Sequence, residues 1–275
     1  MIRLIGIDID GTLLDGSGAV SASNQQAIEK VVALGVHVAL VTGRSYSFAR
    51  PIANHLPPEI TLIVSNGAVE RSITGKTLAR RLLPRQVAQR VLRSMHKYRD
   101  AAALIFDRDD ARQLLFESMD WDNPNRKGYW ARNKSLIDQC TPLEDALTED
   151  PIQVMFNGSV ADMRLLVSSL EGGADFAVAL TEYEERDFCL VDITAPSATK
   201  GHALKWRAEH LGLKRDEVMA IGDNLNDLDM LEFAGLPVVM GNAVQSLKER
   251  GWFITGSHEQ SGVADVLNQF ILNRH

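Results

Sequence analysis

The sequence predicts an α/β protein: a Rossmann-like, three-layer core with a parallel sheet, interrupted by an inserted α+β domain. Three observations predict it. Apolar runs ending near Ile7, Val41 and Val64 alternate with helical patterns, and strand–helix alternation implies parallel pairing. The alternation resumes after Pro196, with strands at 218–221, 237–240 and 252–255 among helices at 199–211, 225–234, 243–250 and 262–272. Between these halves the pattern turns to hairpins and shorter strands, so the first domain is split by the second. Residues 1–82 and 189–275 are assigned to the core and 83–188 to the insertion. A chain of 275 residues, 45% hydrophobic, suffices for one large or two ordinary domains.

The first element is the run Leu4-Ile5-Gly6-Ile7, a buried strand stopped by Asp8 and followed by Ile9-Asp10-Gly11-Thr12. Side chains alternate along extended backbone, so Asp8 and Asp10 leave on the same side at the edge where open parallel sheets bind ligands. An acidic turn is the plain alternative for an isolated Asp-x-Asp. Residues 13–18 form a loop, and Ser23 with Gln26 matches a capping box for a helix reaching Leu34 and closed by Gly35. Gly16 and Gly18 are turn glycines, since no third glycine and no directly preceding strand complete a dinucleotide fingerprint. The second strand stops at Thr42-Gly43-Arg44, a helix at 46–55 is broken by Pro57-Pro58, and the third strand stops at Asn66-Gly67. Residues 69–73 and 77–82 read as a hairpin about Thr74-Gly75-Lys76.

In the insertion, a helix at 84–98 is followed by strands at 101–106 and 113–116 around a polar turn at 107–110. A strand at 153–156, a helix at 161–170 and strands at 174–180 and 188–192 complete an antiparallel sheet with helices on one face. Residues 121–133 read as a long loop in which Trp121, Tyr129 and Trp130 pack while Arg126 and Arg132 are solvated. The alternative is an aromatic wall with an anion contact over a substrate. Residues 182–187 read as a solvated hairpin tip.

Composition removes several function classes. A net charge of −7 argues against nucleic acid or an anionic membrane as partner. No run of eighteen apolar residues occurs, the N-terminal run is too short for a signal peptide, and a cytoplasmic protein is expected. Cys140 and Cys189 lie far apart and outside metal-ligand spacing, as in a reducing compartment. The seven histidines form no close pair suited to zinc or iron, and Lys200-Gly201 lacks the glycine loop of a Walker motif.

The residues that remain belong together chemically. A phosphate monoester carries about two negative charges at neutral pH, so a carboxylate attacks it only when cations offset them. Mg²⁺ prefers oxygen and takes one or two carboxylates, which Asp8 and Asp223 at two strand ends supply. Lys200 at a helix start brings a point charge, Thr42 a hydroxyl and Gly43 a backbone N–H.

Asp8-Ile9-Asp10-Gly11-Thr12, Thr42-Gly43-Arg44, Lys200-Gly201 and Gly222-Asp223-Asn224-Leu225-Asn226-Asp227, in this order, resemble the haloacid dehalogenase superfamily of phosphoryl-transfer enzymes. The span between Gly67 and Lys200 most resembles the Cof-type branch, which carries a large α+β cap of type IIB. The resemblance covers both ends of the chain. It implies Asp8 as nucleophile forming an aspartyl-phosphate, and Asp10 as the acid that protonates the leaving oxygen and then the base for water. It also gives the Asp10 backbone carbonyl a place beside Asp8, Asp223 and Asp227 in the Mg²⁺ site. Asn226 and Asp227 are expected to orient Lys200 and metal-bound waters, and Arg44 and Asn66 to line the mouth, with a surface ion pair as the alternative for Arg44. The expected function is hydrolysis of small phosphorylated metabolites, sugar phosphates foremost. A hexose-phosphate phosphomutase and a non-catalytic phosphate sensor are the alternatives. Selection among substrates is expected from the cap, because the core residues all serve phosphate, metal or water.

Overall fold

In the computed structural model, which describes residues 1–108, 111–170 and 174–274, the chain divides into two compact units. One comprises Met1–Arg80 and Ser197–His275, the other Arg81–Pro196. Residues 109 and 110 of the expected polar turn lie outside the described residues.

The first segment runs β1 (Leu4–Asp8), α1 (Ala22–Ala33), β2 (His37–Val41), α2 (Tyr46–Ala53), β3 (Thr61–Val64), β4 (Val69–Ser72) and β5 (Thr77–Arg80). The second unit runs α3 (Arg85–Ser94), β6 (Ala102–Ile105), β7 (Leu114–Phe116), α4 (Pro124–Asn133), β8 (Ile137–Gln139), β9 (Gln153–Gly158), α5 (Val160–Ser169), β10 (Ala177–Tyr183) and β11 (Phe188–Thr194). The chain then returns with α6 (Lys200–His210), β12 (Val218–Gly222), α7 (Leu228–Phe233), β13 (Leu236–Val239), α8 (Gln245–Lys248), β14 (Phe253–Ile254) and α9 (Gly262–Phe270).

The core sheet has the order β14-β13-β12-β1-β2-β3-β4-β5, parallel through β3 and antiparallel for the β4–β5 hairpin. Every residue of β1 is buried, which is why it reads as a continuous apolar run rather than an alternating one. Gly6 lies against Leu204 of α6, so its neighbours Ile5 and Ile7 face the other side of the sheet. On the helical layers, the buried Asn24 of α1 accepts from the Ala264 N–H of α9 at 2.9 Å. α1 is capped by Ser21, whose Oγ accepts from Asn24 N at 3.2 Å, two residues before the Ser23 box expected from sequence. No helix among the described residues is long and apolar enough to cross a membrane.

The second unit has a six-stranded sheet, β10-β11-β9-β6-β7-β8, antiparallel except between β7 and β8. Leu104, Phe106, Val154, Phe156, Val191 and Ile193 join residues of α3 and α5 in one core on one face. The opposite face carries a smaller cluster around Phe116, Met119 and Met155.

Three expectations change here. Phe188–Thr194 pairs with β10 along its length and with β9 from Cys189 on, so the returning boundary falls at Pro196 and not at 188. Residues 124–133 are a helix rather than loop: Asn123 Oδ1 caps it from Asn125 N at 2.9 Å and Pro124 takes the first turn, where its missing N–H costs nothing. β10 begins at Ala177, not 174, and the short β8 was not anticipated, two of its three residues being polar and exposed.

Candidate active site

The parallel register Ile7↔Ile221 and Asp8↔Val41 sets the carboxyl ends of β12, β1 and β2 side by side. That edge therefore receives Asp8, the Gly222-Asp223 corner and Thr42 together. Asp8 is buried, and its Oδ1 accepts from Lys200 Nζ at 2.7 Å. Lys200 stands in the first turn of α6, capped by Thr199, whose Oγ1 accepts from His202 N at 3.1 Å. Its Nζ also donates to Asp227 Oδ1 at 2.6 Å, and both partners of that pair are buried. The other Asp227 oxygen accepts from the N–H groups of Asp223 and Asn224 at 3.0 and 3.1 Å. Asp227 thus ties the lysine to the corner that carries Asp223.

Two glycines make these approaches possible. Gly11 has φ +77°, and a Cβ there would lie 2.4 Å from Asp223 Oδ2. Gly67 has φ +99°, and a Cβ there would lie 2.2 Å from the Thr199 carbonyl oxygen. The tight contact at Gly67 lets the turn after β3 press against the start of α6, which fixes Lys200.

Charge is unbalanced in this cluster. Asp8, Asp223 and Asp227 each offer an oxygen, all within 4.8 Å of one another, against one ammonium. Burial pushes the Asp8 carboxyl up; Lys200 opposes this and Asp227 and Asp223 add to it. Asp223 is pushed up to about 6 by burial and by Asp227. Burial disfavours the Lys200 charge, but Asp8 and Asp227 outweigh it and hold the ammonium above the ordinary lysine range. Hard oxygen donors with excess negative charge fit a divalent cation, which would return Asp8 and Asp223 to the ionised state.

Across a cavity of about 330 Å³ sit the other predicted residues. Asp8, Asp10, Thr42, Gly43, Arg44, Asp223, Asn224 and Asn226 line it. Asp10 is exposed and held in a two-point pair by Arg44, Nε to Oδ2 at 2.8 Å and Nη2 to Oδ1 at 2.6 Å. Those hydrogen bonds push the Arg44 guanidinium up. Arg44 is therefore an ion pair as well as a wall of the mouth. Thr42 is buried, and its Oγ1 accepts from Arg44 N at 3.1 Å.

Two residues sit differently from expectation. Asn226 is exposed at the mouth, while the lysine is oriented by Asp227. Asn66, with φ 53°, packs behind Gly43 instead of lining the cavity, and its Oδ1 is buried without a partner. Sequence reasoning missed four supporting residues. Thr12 donates to Asp223 Oδ1 at 3.2 Å; Asn242 donates to the Gly11 carbonyl at 2.8 Å; Asp229 accepts from Gly201 N at 2.9 Å; Asn224 lines the cavity. Thr12 and Asn224 stand within the quoted motifs without a role assigned to them; nothing local marks Asn242 or Asp229.

A family model described as haloacid dehalogenase-like hydrolase matches residues 5–267. A 5-amino-6-(5-phospho-D-ribitylamino)uracil phosphatase of Bacillus subtilis is 26% identical over 294 aligned positions, covering 100% of both chains. An HMP-PP phosphatase of Yersinia pseudotuberculosis is 28% identical, covering 100% of this chain and 97% of the relative. Among solved structures, a haloacid dehalogenase-like hydrolase from Bacteroides thetaiotaomicron superposes with a TM-score of 0.81 at 23% identity, over 98% of this chain and 100% of the other.

Proposed function

Because this chain belongs to the haloacid dehalogenase-like hydrolases and is a phosphatase of that family, we propose that it is Mg²⁺-dependent and hydrolyses small phosphorylated metabolites, sugar phosphates foremost, through an aspartyl-phosphate at Asp8. The observation that carries this reading is the buried Asp8–Lys200–Asp227 chain beside Asp223, at the edge where Asp10 stands free of the metal-seeking cluster.

In this reading Asp8, Asp223, the Asp10 carbonyl and Asp227 would hold the cation, which would supply positive charge to offset that of the phosphoryl group. Lys200 pins one Asp8 oxygen and adds a second positive charge. Asp8 attacks phosphorus, a new P–O bond forms, and the bond to the ester oxygen breaks. Asp10 gives its proton to that oxygen, releasing the alcohol. Water then attacks the acyl phosphate as Asp10 takes its proton, phosphate leaves and the Asp8 carboxylate is restored. Thr42 and the Gly43 N–H bind phosphoryl oxygens, with Arg44 and Asn226 at the mouth. The two aspartates divide the work because Asp8 is buried against the Lys200 ammonium, whereas Asp10 is exposed at the mouth.

A panel of phosphorylated metabolites with Mg²⁺, scored for released phosphate, tests this. Wild type is expected to turn over sugar phosphates, lose activity to a chelator and regain it with Mg²⁺, while Asp8→Asn falls to background. Activity that survives chelation, or phosphate passed between sugar positions without release, contradicts the reading.

A further inference from the structure

The second unit holds a cavity of about 610 Å³ on the sheet face that α3 and α5 leave uncovered. This volume lies within the range of small-molecule pockets. Met155, Asn157 and Leu190 form its floor, and α4 with Trp121 forms one wall. The wall is fixed before any ligand arrives: Trp121 meets Phe116 edge-on at 5.2 Å and Trp130 at 5.1 Å. On the other side Tyr183 stacks on Phe188 at 6.3 Å and is itself 45% exposed, a large ring turned to solvent.

The polar groups are more telling than the aromatic ones. Arg126 lies half-buried in this pocket with its guanidinium locked in plane. Nε donates to Asn157 Oδ1, Nη2 to the Asn157 carbonyl at 2.8 Å and Nη1 to the Asp120 carbonyl at 3.2 Å. All three acceptors are neutral, and among the described residues no carboxylate comes within ion-pair distance. Asp120 and Asp100 act on it only from farther off. The dipoles of the three acceptors solvate the half-buried cation, but no anion at contact distance among the described residues offsets its charge. Arg186 adds a second guanidinium that makes no ion pair among the described residues, and no carboxylate among the described residues lines the cavity. Finally, the Trp121 indole N–H is buried without a hydrogen-bond partner, a donor lacking its acceptor. The Arg132 side chain lies outside the described residues.

We propose that this pocket binds a planar heteroaromatic ring bearing carbonyl acceptors or anionic charge, stacked between the aromatic walls and faced by Arg126. A saturated sugar would satisfy the donors but leave the rings unused; an apolar ring would offer no counter-charge to the two guanidinium groups and no acceptor to the indole N–H. The site is complete within residues 119–190 and is read out by binding, independently of the chemistry at Asp8.

The test uses the full chain, with uracil as neutral probe, orotate as anionic probe and cyclohexanecarboxylate as saturated anionic control, followed by calorimetry and tryptophan fluorescence. Saturable one-to-one binding of both planar probes is expected, with orotate tighter and the saturated ring not bound. Trp121→Leu should abolish binding. Tyr183 and Arg186 are exposed, so their replacement leaves the fold intact: Tyr183→Ala should weaken both probes, and Arg186→Ala should weaken orotate about tenfold with little effect on uracil. Orotate that competes with a hydrolysed ester places the ring on the substrate, and a rate change without competition places it on a separate effector. No saturable binding to the folded chain, equal binding of the saturated ring, or binding unaltered by Tyr183→Ala and Arg186→Ala overturns the proposal.

Discussion

Asp8 and Asp10 are two residues apart and occupy opposite environments. Asp8 is buried against an ammonium, and Asp10 is exposed and gripped by a guanidinium. Proton traffic is therefore assigned to Asp10, and Asp10→Asn should lower turnover by about two to four orders of magnitude. The loss should be largest for alkyl phosphates, whose leaving oxygen needs the proton, and small for an activated aryl phosphate. Equal losses on both would mean that Asp10 acts by placing Arg44 or the metal instead. A second carboxylate gives a prediction for stability. Asp192 lies on the sheet face of the second unit, where burial pushes it up to about 6 despite the hydrogen bond from Gln153 Nε2 at 2.6 Å. A carboxyl raised in the folded state binds its proton more tightly there than in the unfolded chain. Its stabilising contribution is present at acid pH and is lost as pH rises through about 6. Asp192→Asn keeps an acceptor for Gln153 and removes the buried charge, so it should raise Tm by a few degrees at about pH 7.5, the gain vanishing toward pH 4. A gain independent of pH would show that the charge is not the cause.

At the scale of elements, the strands carrying the site were legible because parallel strands buried on both faces read as short apolar runs, and each stops at the polar residue it delivers. Asp8, Thr42 and Asp223 could be named for that reason, and Lys200 from its place at a helix start. What joins them was not legible. Asn242 reaches Gly11 across 231 residues and Asp229 holds the start of α6 from α7, contacts that depend on packing and leave no local pattern. Helix α4 was hidden by its own composition, since Arg, Lys, Gly and two aromatics in ten residues give no clean apolar stripe. Ser65, Asn66 and Gly67 all adopt positive φ, a turn that the run of residues after the third strand does not announce. That turn yields a prediction. Gly67→Ala would set a methyl against the Thr199 carbonyl in a backbone conformation disfavoured for alanine, at a cost of about 1–3 kcal/mol. Because Thr199 caps the helix that presents Lys200, kcat should fall along with Tm. A stable, fully active Gly67→Ala protein would show that this contact does not position the lysine.

At the scale of the whole molecule, chemistry and choice of substrate are assigned to different units. The carboxylates, Lys200 and Thr42 all belong to Met1–Arg80 and Ser197–His275, and in the proposed reading each serves phosphate, metal or water. Replacing residues 81–196 by a short flexible linker should therefore leave slow hydrolysis of a small aryl phosphate while flattening the kcat/KM ranking across sugar phosphates, with folding of the shortened chain checked by circular dichroism. An unchanged ranking would return selectivity to the core. The proposed function rests on a covalent double displacement at Asp8. The most direct test is to quench a single turnover with borohydride, which reduces an acyl phosphate to the alcohol and so turns the phosphorylated aspartate into homoserine, and to locate that residue by peptide mass spectrometry. Homoserine at position 8 alone, formed only when substrate is present, is the predicted result; homoserine at position 10, or at no position in a protein that is turning over, would contradict it.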